Sequence, residues 1–278
     1  MPTDAYFRRR GRLPVRRIAP MGVALAALIA IMSSSSCRGS GDGASNSSNQ
    51  NTASPNQSAG AGPPAACDNP FYPAEAGQVR GYKVTSHGTP LPSLTYNQQQ
   101  SKVIFGSFSE HRDFSDGVKT ETEWSCTADG LVSSQYSTPA VQRLNTGYKF
   151  DSIKASRPAI PAADKWAPGH EWTTTYQVTG TQNAAGSQSP EKVTGTIEVQ
   201  SQIVSSEKVT VPAGSYDCLL VDSNIRANLH IESSTGASRP ALLSIRVSAW
   251  YGKGIGLVRS AFSGDIGTGQ EELTSIGK

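Results

Sequence analysis

The stretch VTVPAGSYDCLLVD, residues 209–222, decides the fold of this chain. Two runs of β-branched and apolar residues flank a Pro-Ala-Gly break, which is the composition of a turn between two strands. In the second run Cys218 and Leu220 would lie on one face of the strand, and Leu219 and Val221 would lie on the other. The stretch therefore predicts a central hairpin of an all-β domain, buried on both faces.

Similar patterns recur on both sides of this hairpin, separated by turn residues. Strands are predicted at residues 79–86, 94–99, 102–114, 118–126, 131–136, 148–153, 172–178, 193–205, 208–211, 216–230, 241–251, 256–262 and 271–276. Four prolines interrupt residues 137–170, where a short helix near Ala163 is the one helical pattern of the folded part. Roughly eleven to thirteen strands with mostly short connections predict an antiparallel meander with little helix apart from a signal peptide.

Composition divides the 278 residues into three parts. Residues 1–36 are predicted to be a signal peptide, residues 37–66 a Ser/Asn/Gly-rich disordered tether, and residues 67–278 a single folded domain. The formal charge is +3, but six arginines and one acidic residue precede Cys37, so the remainder has a net charge of −2. Because no basic stripe remains to follow a phosphate backbone, the sequence argues against nucleic-acid binding.

The N-terminus has the layout of an export signal. An arginine-rich segment at residues 8–17 precedes twelve apolar residues at 21–32. Twelve helical residues rise about 18 Å, too little to cross a hydrocarbon core of about 30 Å. The layout is that of a secretory signal. The paired arginines leave export by the twin-arginine pathway open. Because the twin-arginine consensus sequence does not follow them, export by the general secretory pathway is favoured.

Cys37 comes directly after the small residues that end the apolar run. This arrangement resembles a bacterial lipoprotein signal, in which cleavage precedes a cysteine that carries diacylglycerol. The position three before the cysteine is typically aliphatic in such signals and is Ser34 here. An ordinary signal cut within the serine run is the alternative. The lipoprotein interpretation predicts an exported protein anchored to a membrane, facing the periplasm or the cell surface, on a tether with a mean span of roughly 30 Å.

Four motifs of the folded part resemble a family of uncharacterised bacterial secreted lipoproteins. They are NPFYP at 69–73 with Gly77, Pro168-Gly169 with Trp172, VPAGSYD at 211–217, and Trp250-Tyr251 followed by GIGLV at 254–258. The resemblance implies a long curled antiparallel sheet, an open half-barrel similar to that of the LolA and LppX carriers. It implies no activity, since the family has none assigned. Family members usually carry a tryptophan near the first glycine, where this chain has Ala76 and Gln78.

Three cysteines remain once Cys37 is assigned to the anchor. Cys67 begins the folded part and Cys126 ends a predicted strand, so a disulfide between them would pin the N-terminal edge to the sheet. Closing a loop of about sixty residues would contribute roughly 3–4 kcal/mol. Cys218 is predicted to be a free buried thiol that packs as a small hydrophobe. A nucleophilic Cys218 is the weaker alternative, because no histidine lies near it in sequence.

No spacing typical of a catalytic, cofactor or metal site occurs in the folded part. The four histidines stand singly, at His87, His111, His170 and His230. Acidic residues gather around one turn, at Glu110, Asp113, Asp116, Glu121 and Glu123. They suggest a calcium site, but solvated charges on flanking strands are far more common. Glycines alternate at Gly252, Gly254 and Gly256, and because a strand follows them they predict a bend rather than a nucleotide-binding loop.

The sequence therefore predicts a non-catalytic envelope lipoprotein. Its half-barrel would bind a hydrophobic ligand, such as a lipid or a lipoprotein acyl chain, or a partner protein. The alternative is a purely structural or interaction module of the envelope. A pocket within the sheet would favour ligand binding, whereas an interior filled by side chains would favour the structural module.

Overall fold

A computed structural model describes residues 67–88, 93–144, 148–183 and 189–277. The predicted signal peptide and tether, with the lipidation site Cys37, lie outside the described residues. Within the described ranges, no helix is both long enough and apolar enough to span a bilayer.

The described part of the chain is almost entirely β-structure. Its strands are β1 (Val79–His87), β2 (Leu94–Gln100), β3 (Ser107–Phe114), β4 (Lys119–Thr127), β5 (Gly130–Ser133), β6 (Tyr148–Ala155), β7 (Ile160–Pro161), β8 (Glu171–Gln182), β9 (Glu191–Val211), β10 (Gly214–Glu232), β11 (Ser238–Gly252), β12 (Gly256–Gly264) and β13 (Gly267–Gly277). One short helix, α1 (Pro139–Leu144), and a 3₁₀ turn (Ala163–Lys165) complete the described elements.

All thirteen strands belong to one antiparallel sheet in the order β6-β8-β9-β10-β11-β12-β13-β1-β2-β3-β4-β5-β7. The sheet is open, with β6 and β7 at its two edges. It is also curled, because β5, near one end of this order, contacts β6 at the other end. The predicted fold, an open antiparallel sheet of eleven to thirteen strands with little helix, is confirmed.

Several strand boundaries differ from the sequence prediction, and two of these differences have a clear physical reason. The strand predicted at 102–114 begins only at Ser107, because Phe105 and Gly106 form a two-residue turn with φ of 50° and 79°. Backbone hydrogen bonds in both directions between Ile104 and Ser107 close this turn. The runs predicted separately at 193–205 and 208–211 are one 21-residue strand, β9. The pairing of β9 with β10 shifts register at Leu220/Val221, and this irregularity lets the strand continue.

Side-chain alternation explains how the long strands build the core. In β10 every second residue from Ile225 to Ile231 is buried, and the residues between them are exposed. The buried positions join a large apolar cluster with the facing residues of β9 and β11, such as Ile197 and Ile245. A smaller cluster around Trp124 joins β3, β4 and β5 to the loop that carries Trp166.

The opening stretch forms the hairpin between β9 and β10, as predicted. Cys218, Leu219 and Val221 are all buried, Cys218 in the large cluster and Leu219 and Val221 in the small one, so the start of β10 is covered on both faces as predicted. The pairing of β10 with β11 ends at Cys218, so the hairpin tip continues beyond β11. There β9 contacts β12 and β13, and the N–H of Ala213 donates to the carbonyl of Leu273 over 3.2 Å.

Candidate functional site

Four charged side chains are buried in one region of the sheet, on strands β1, β3 and β13. Arg80, Glu110, Arg112 and Glu271 are each at most 2% exposed. They lie on the same strand faces as buried apolar residues. On β3, Glu110 and Arg112 share the buried face with Phe108. Burying a charge is costly unless hydrogen bonds or an opposite charge compensate it, so the partners of each group decide what this cluster can do.

Glu110 is the most heavily bonded member. Its Oε2 accepts hydrogen bonds from the hydroxyl of Tyr72 at 2.9 Å and from the amides of Gln98 and Gln100 at 2.9 and 3.0 Å. Its Oε1 forms an ion pair with Arg112. Burial alone would lower the pKa of Arg112, but the adjacent Glu110 carboxylate raises it above its ordinary value. Glu110 and Arg112 therefore form a compensated, charged pair.

Glu271 is bonded by neutral donors instead. Tyr96 donates to its Oε1 at 2.5 Å, and Ser260 donates to its Oε2 at 3.0 Å. The backbone of Ala140, in α1, is close enough to lower the pKa of this carboxyl group slightly. Burial raises the pKa of Glu271, and these hydrogen bonds offset only part of that rise. Glu271 thus favours its neutral form more than a surface glutamate would.

Arg80 differs from the other three because its guanidinium is uncompensated. Within the described ranges it forms no ion pair with any carboxylate, and its buried Nε and Nη2 have no hydrogen-bond partner. The side chain lines a small pocket bounded by Tyr72, Pro73, Gln98, Gln100, Gln135, Thr138, Pro139, Tyr251, Ile255, Gly256 and Leu257.

Two of the sequence motifs meet at this pocket. NPFYP supplies Tyr72 and Pro73, and GIGLV supplies Ile255 and Leu257. A hydrogen bond of 2.7 Å from the N–H of Gly254 to the carbonyl of Pro70 joins them. The alternating glycines therefore form the bend that was predicted, and they bring backbone close to the N-terminal segment.

A larger concavity lies where the two ends of the curled sheet approach one another. This cleft, of about 490 Å³, is lined on one side by β6 and on the other by β3, β4 and the start of α1. Its apolar lining residues are Phe114, Val118, Tyr136, Pro139, Tyr148, Phe150 and Ile153, and Arg112 and Arg143 also reach it. Arg143 packs over the ring of Phe114 at 5.9 Å and pairs with Asp116 at 2.5 Å. The volume falls within the range of small-molecule sites.

The space within the sheet is much smaller. A cavity beside Trp124, Trp166, Trp172 and Tyr251 has a volume of about 60 Å³, and the pocket at Arg80 has about 20 Å³. A water molecule needs a space of about 10–15 Å³, so these cavities have room for only a few water-sized groups. Aromatic side chains and α1 fill the described interior, and an acyl chain does not fit there.

The predicted cysteine sites are well separated in the structure. Cys67 and Cys126 are joined by a disulfide with a Cα–Cα distance of 5.1 Å. Cys218 is free and buried, and burial raises the pKa of its thiol to about 11. Because the thiolate is the nucleophile, this environment disfavours a nucleophilic role.

The structure does not bring the predicted polar residues together. Exposed side chains are found at His87, His111 and His230, and His170 stacks on Trp172 at 5.8 Å. The acidic group is divided between environments, because Glu110 is buried whereas Glu121 pairs with His111 at 3.7 Å on the surface. In the part of the chain that the structure describes, no three His, Cys, Asp or Glu side chains are placed to hold a metal ion.

Sequence reasoning missed Arg80, Glu271 and the glutamines that face Glu110. A usable pattern was present in β3, where Phe108, Glu110, Arg112 and Phe114 share one phase of the alternation. Charged residues in phase with aromatic residues predict either an exposed strand or a buried ionic cluster. The sequence alone does not decide between these two possibilities.

Comparison with known proteins identifies one family. The family model described as DUF3108-like matches residues 119–264, just over half of the chain. One solved structure, described as an exported protein with a YmcC-like fold from Bacteroides fragilis, is 18% identical, with a TM-score of 0.49. Another, described as a lipoprotein from Parabacteroides distasonis, is 16% identical, with a TM-score of 0.42. Each match covers 75% of this chain and 99% of the other. No curated protein matches the chain.

Proposed function

We propose that this chain, which belongs to the DUF3108-like family, is an exported lipoprotein that binds the acyl chain of an anionic amphiphile without catalysing a reaction. The observation that carries the proposal is the cleft between the two ends of the sheet, which has a volume of about 490 Å³ and is lined in equal number by apolar residues, mostly aromatic, and by polar residues that include Arg143 and Glu121. Ligand sites typically combine such apolar walls with a few polar groups that fix orientation.

The cleft walls suit an acyl chain. Phe150 stacks beside Tyr148 at 6.1 Å and meets Tyr136 edge-on at 6.3 Å, so a continuous aromatic surface faces the opening. Arg143, which also lines the cleft, is paired with Asp116, and a negatively charged head group would share this guanidinium with Asp116 or displace it. A fatty acid or a similar single-chain amphiphile matches both features.

Anchoring through Cys37 is the second part of the proposal. An apolar run followed by small residues and the first cysteine of the chain supports it. In a bacterial host fed radioactive palmitate, we expect the wild-type protein to be labelled and the Cys37→Ala variant to be unlabelled. Labelled Cys37→Ala protein would contradict acylation at this residue.

Ligand binding is tested with the full chain carrying Cys37→Ala. We expect a fluorescent fatty acid to bind, and the variant Phe150→Gln to weaken its binding about tenfold or more, because an amide then replaces an aromatic wall. Lys149→Gln is the matched control, since Lys149 is the exposed neighbour on the same strand. Arg143→Gln should weaken binding of the fatty acid but not of the corresponding fatty alcohol. An equal loss of affinity for the fatty acid and the fatty alcohol would show that Arg143 does not bind the head group.

The structural module is the second candidate, and the filled interior of the sheet favours it. Lipid extraction and mass spectrometry of protein purified from its native envelope separate the two candidates. Co-purifying acyl lipid supports the carrier. Absence of lipid together with absence of fatty-acid binding would leave the structural module as the better explanation.

A further inference from the structure

We infer that the turn between β2 and β3 inserts two apolar side chains into the surface of the membrane that holds the lipid anchor. The inference rests on the anchoring proposed at Cys37 and adds the part of the domain that faces the bilayer. At this turn Ile104 is 58% exposed and Phe105 is fully exposed. Single exposed apolar residues are common on protein surfaces, so the conformation and the position of this pair carry the inference.

The backbone of the turn makes phenylalanine an unfavourable residue for folding. Phe105 has a φ of 50°, and within the described ranges it is the one residue other than glycine with a positive φ. Two-residue turns of this kind favour asparagine, aspartate or glycine, because a bulky side chain is strained in the left-handed region. Since its ring is fully exposed, no packing against the described residues offsets this strain. Phe105 is therefore suited to a contact outside the folded domain.

The turn lies beside the point where the predicted tether joins the folded domain. The N–H of Cys126 donates to the carbonyl of Gly106 in the turn at 2.8 Å. Cys126 is also the disulfide partner of Cys67, the first described residue. Residues 37–66 connect Cys67 to the proposed anchor. The apolar turn thus lies at the end of the domain that is nearest to the anchor along the chain, and this position selects the bilayer as the surface it contacts.

The charges at this end of the domain are compatible with a bilayer surface. Lys102 is exposed, and its long stem lets the ammonium stay among the head groups while the turn inserts. Asp68, next to Cys67, is exposed as well, so both signs of charge are present. The attraction would therefore come from burial of apolar surface rather than from net charge.

Two inserted side chains bind weakly by themselves, so the turn acts together with the anchor. Stable attachment to a bilayer generally needs two signals, of which an acylated Cys37 would be the first. A tether that keeps the domain near the membrane makes the second contact intramolecular, and a weak contact then suffices. The expected result is a domain with one preferred orientation on the bilayer.

The test uses acylated protein purified from bacterial membranes and reconstituted into phosphatidylcholine vesicles whose acyl chains carry bromine, which quenches tryptophan fluorescence. In Phe105→Trp we expect the added tryptophan to lose at least about half of its fluorescence in these vesicles relative to unbrominated ones, because an indole at this position would enter the interface. The wild type, with its four tryptophans, gives the background to be subtracted.

Leu242→Trp is the matched control. Leu242 is also exposed, at 72%, but it lies about 30 Å along β11 from Gly252. The Gly252 end of β11 is the one near the N-terminal segment, since Gly254 bonds to Pro70. The tryptophan of Leu242→Trp should therefore keep its fluorescence in brominated vesicles.

Flotation of the vesicles separates failure of this inference from failure of the anchor. Protein that floats with the vesicles but shows no quenching in Phe105→Trp would overturn the inference and leave the anchoring at Cys37 intact. Equal quenching in Phe105→Trp and Leu242→Trp would also overturn it, because the turn would then not orient the domain. Protein that does not float would contradict the anchoring and, with it, the inference.

Phe105→Asn provides a second test that needs no membrane. We expect this variant, in the full chain carrying Cys37→Ala, to have a higher urea midpoint than its parent, because asparagine adopts the left-handed conformation readily. A lower midpoint would show that Phe105 packs within the fold and would overturn the inference. Self-association of the parent that is lost in Phe105→Asn, measured by analytical ultracentrifugation, would assign the turn to a second copy of the chain instead.

Discussion

At the scale of single residues, the buried polar groups are held by hydrogen bonds more than by charge pairing. Glu110 has one cationic partner but three neutral donors, and Glu271 has neutral donors only. The hydroxyls of Tyr72 and Tyr96 are reliable donors, because burial, followed by the nearby glutamates, raises the pKa of both phenols. These networks therefore fix the geometry around the Arg80 pocket without filling it.

Glu271 should make the stability of the protein depend on pH in an identifiable direction. Burial raises its pKa above the ordinary value of 4.5, so the folded state keeps a proton that the unfolded chain releases. The contribution of this group to the free energy of unfolding is then fully present below about pH 4.5. It is lost as the pH rises through the raised pKa.

The variant Glu271→Gln does not titrate, so we expect its stability relative to the wild type to increase as the pH rises from about 4 towards neutrality. Urea denaturation at a series of pH values measures this difference. Glu272→Gln, at the neighbouring partly exposed residue, is the control and should track the wild type more closely. If the free energies of unfolding of the wild type and Glu271→Gln change with pH in parallel, the pKa of Glu271 is the same in the folded and unfolded states.

Cys218 should not react with thiol reagents in the folded protein, but its substitution should lower the stability of the fold. With a pKa of about 11 and a place in the large apolar cluster, the thiol stays protonated near neutral pH. We expect iodoacetamide to leave it unmodified in the native protein and to modify it in urea. Cys218→Ser should cost about 1–3 kcal/mol of unfolding free energy, because a hydroxyl replaces a weakly polar group in an apolar site. A smaller loss of unfolding free energy in Cys218→Ala than in Cys218→Ser would show that the polarity of the hydroxyl causes the destabilisation.

At the scale of elements, the β9–β10 hairpin is stabilised by its tip as well as by its strand pairing. Val211 is 6% exposed because the tip packs on β12 and β13. Val211→Ala should therefore cost about 2 kcal/mol, the value of burying an aliphatic side chain. Thr210→Ala removes a side chain of similar size on the exposed face and should change stability by less than about 0.5 kcal/mol. Equal losses of unfolding free energy for Val211→Ala and Thr210→Ala, measured by urea denaturation, would show that the hairpin tip does not pack on β12 and β13 in solution.

The same elements show how far sequence reasoning reaches. The hairpin at 209–222 and the alternation in β10 and β11 are predictable, because side-chain period and turn chemistry agree there. The helix α1 and the two-residue strand β7 are not, since prolines mask the pattern and a strand this short gives no period. The Arg80 pocket is also beyond prediction. Charged side chains are normally exposed, and only the pairing of β13 with β1, two strands far apart in the sequence, places β13, β1 and β3 in one region of the sheet.

At the scale of the whole molecule, the segment that precedes β1 ties together distant parts of the sheet. Asn69 donates to the carbonyl of Pro161 on the β7 edge at 2.8 Å. Pro70 accepts from Gly254 between β11 and β12 at 2.7 Å, and Phe71 stacks on Trp166 at 4.7 Å. The disulfide from Cys67 to Cys126 fixes the start of this segment to β4. Because Tyr72 and Pro73 then wall the Arg80 pocket, the segment links global stability to the shape of the site.

Removal of this disulfide should lower the stability of the folded chain. Cys67→Ser/Cys126→Ser should lower the free energy of unfolding by about 3–4 kcal/mol, because the unfolded chain regains the freedom of a loop spanning 59 residues. In urea denaturation, a reductant should bring the wild type to the stability of the double variant and leave the double variant unchanged. Cys218→Ala should respond to the reductant as the wild type does. Equal free energies of unfolding for the oxidised wild type and the double variant would show that the disulfide does not stabilise the folded chain, and that the other contacts of the segment suffice to hold it in place.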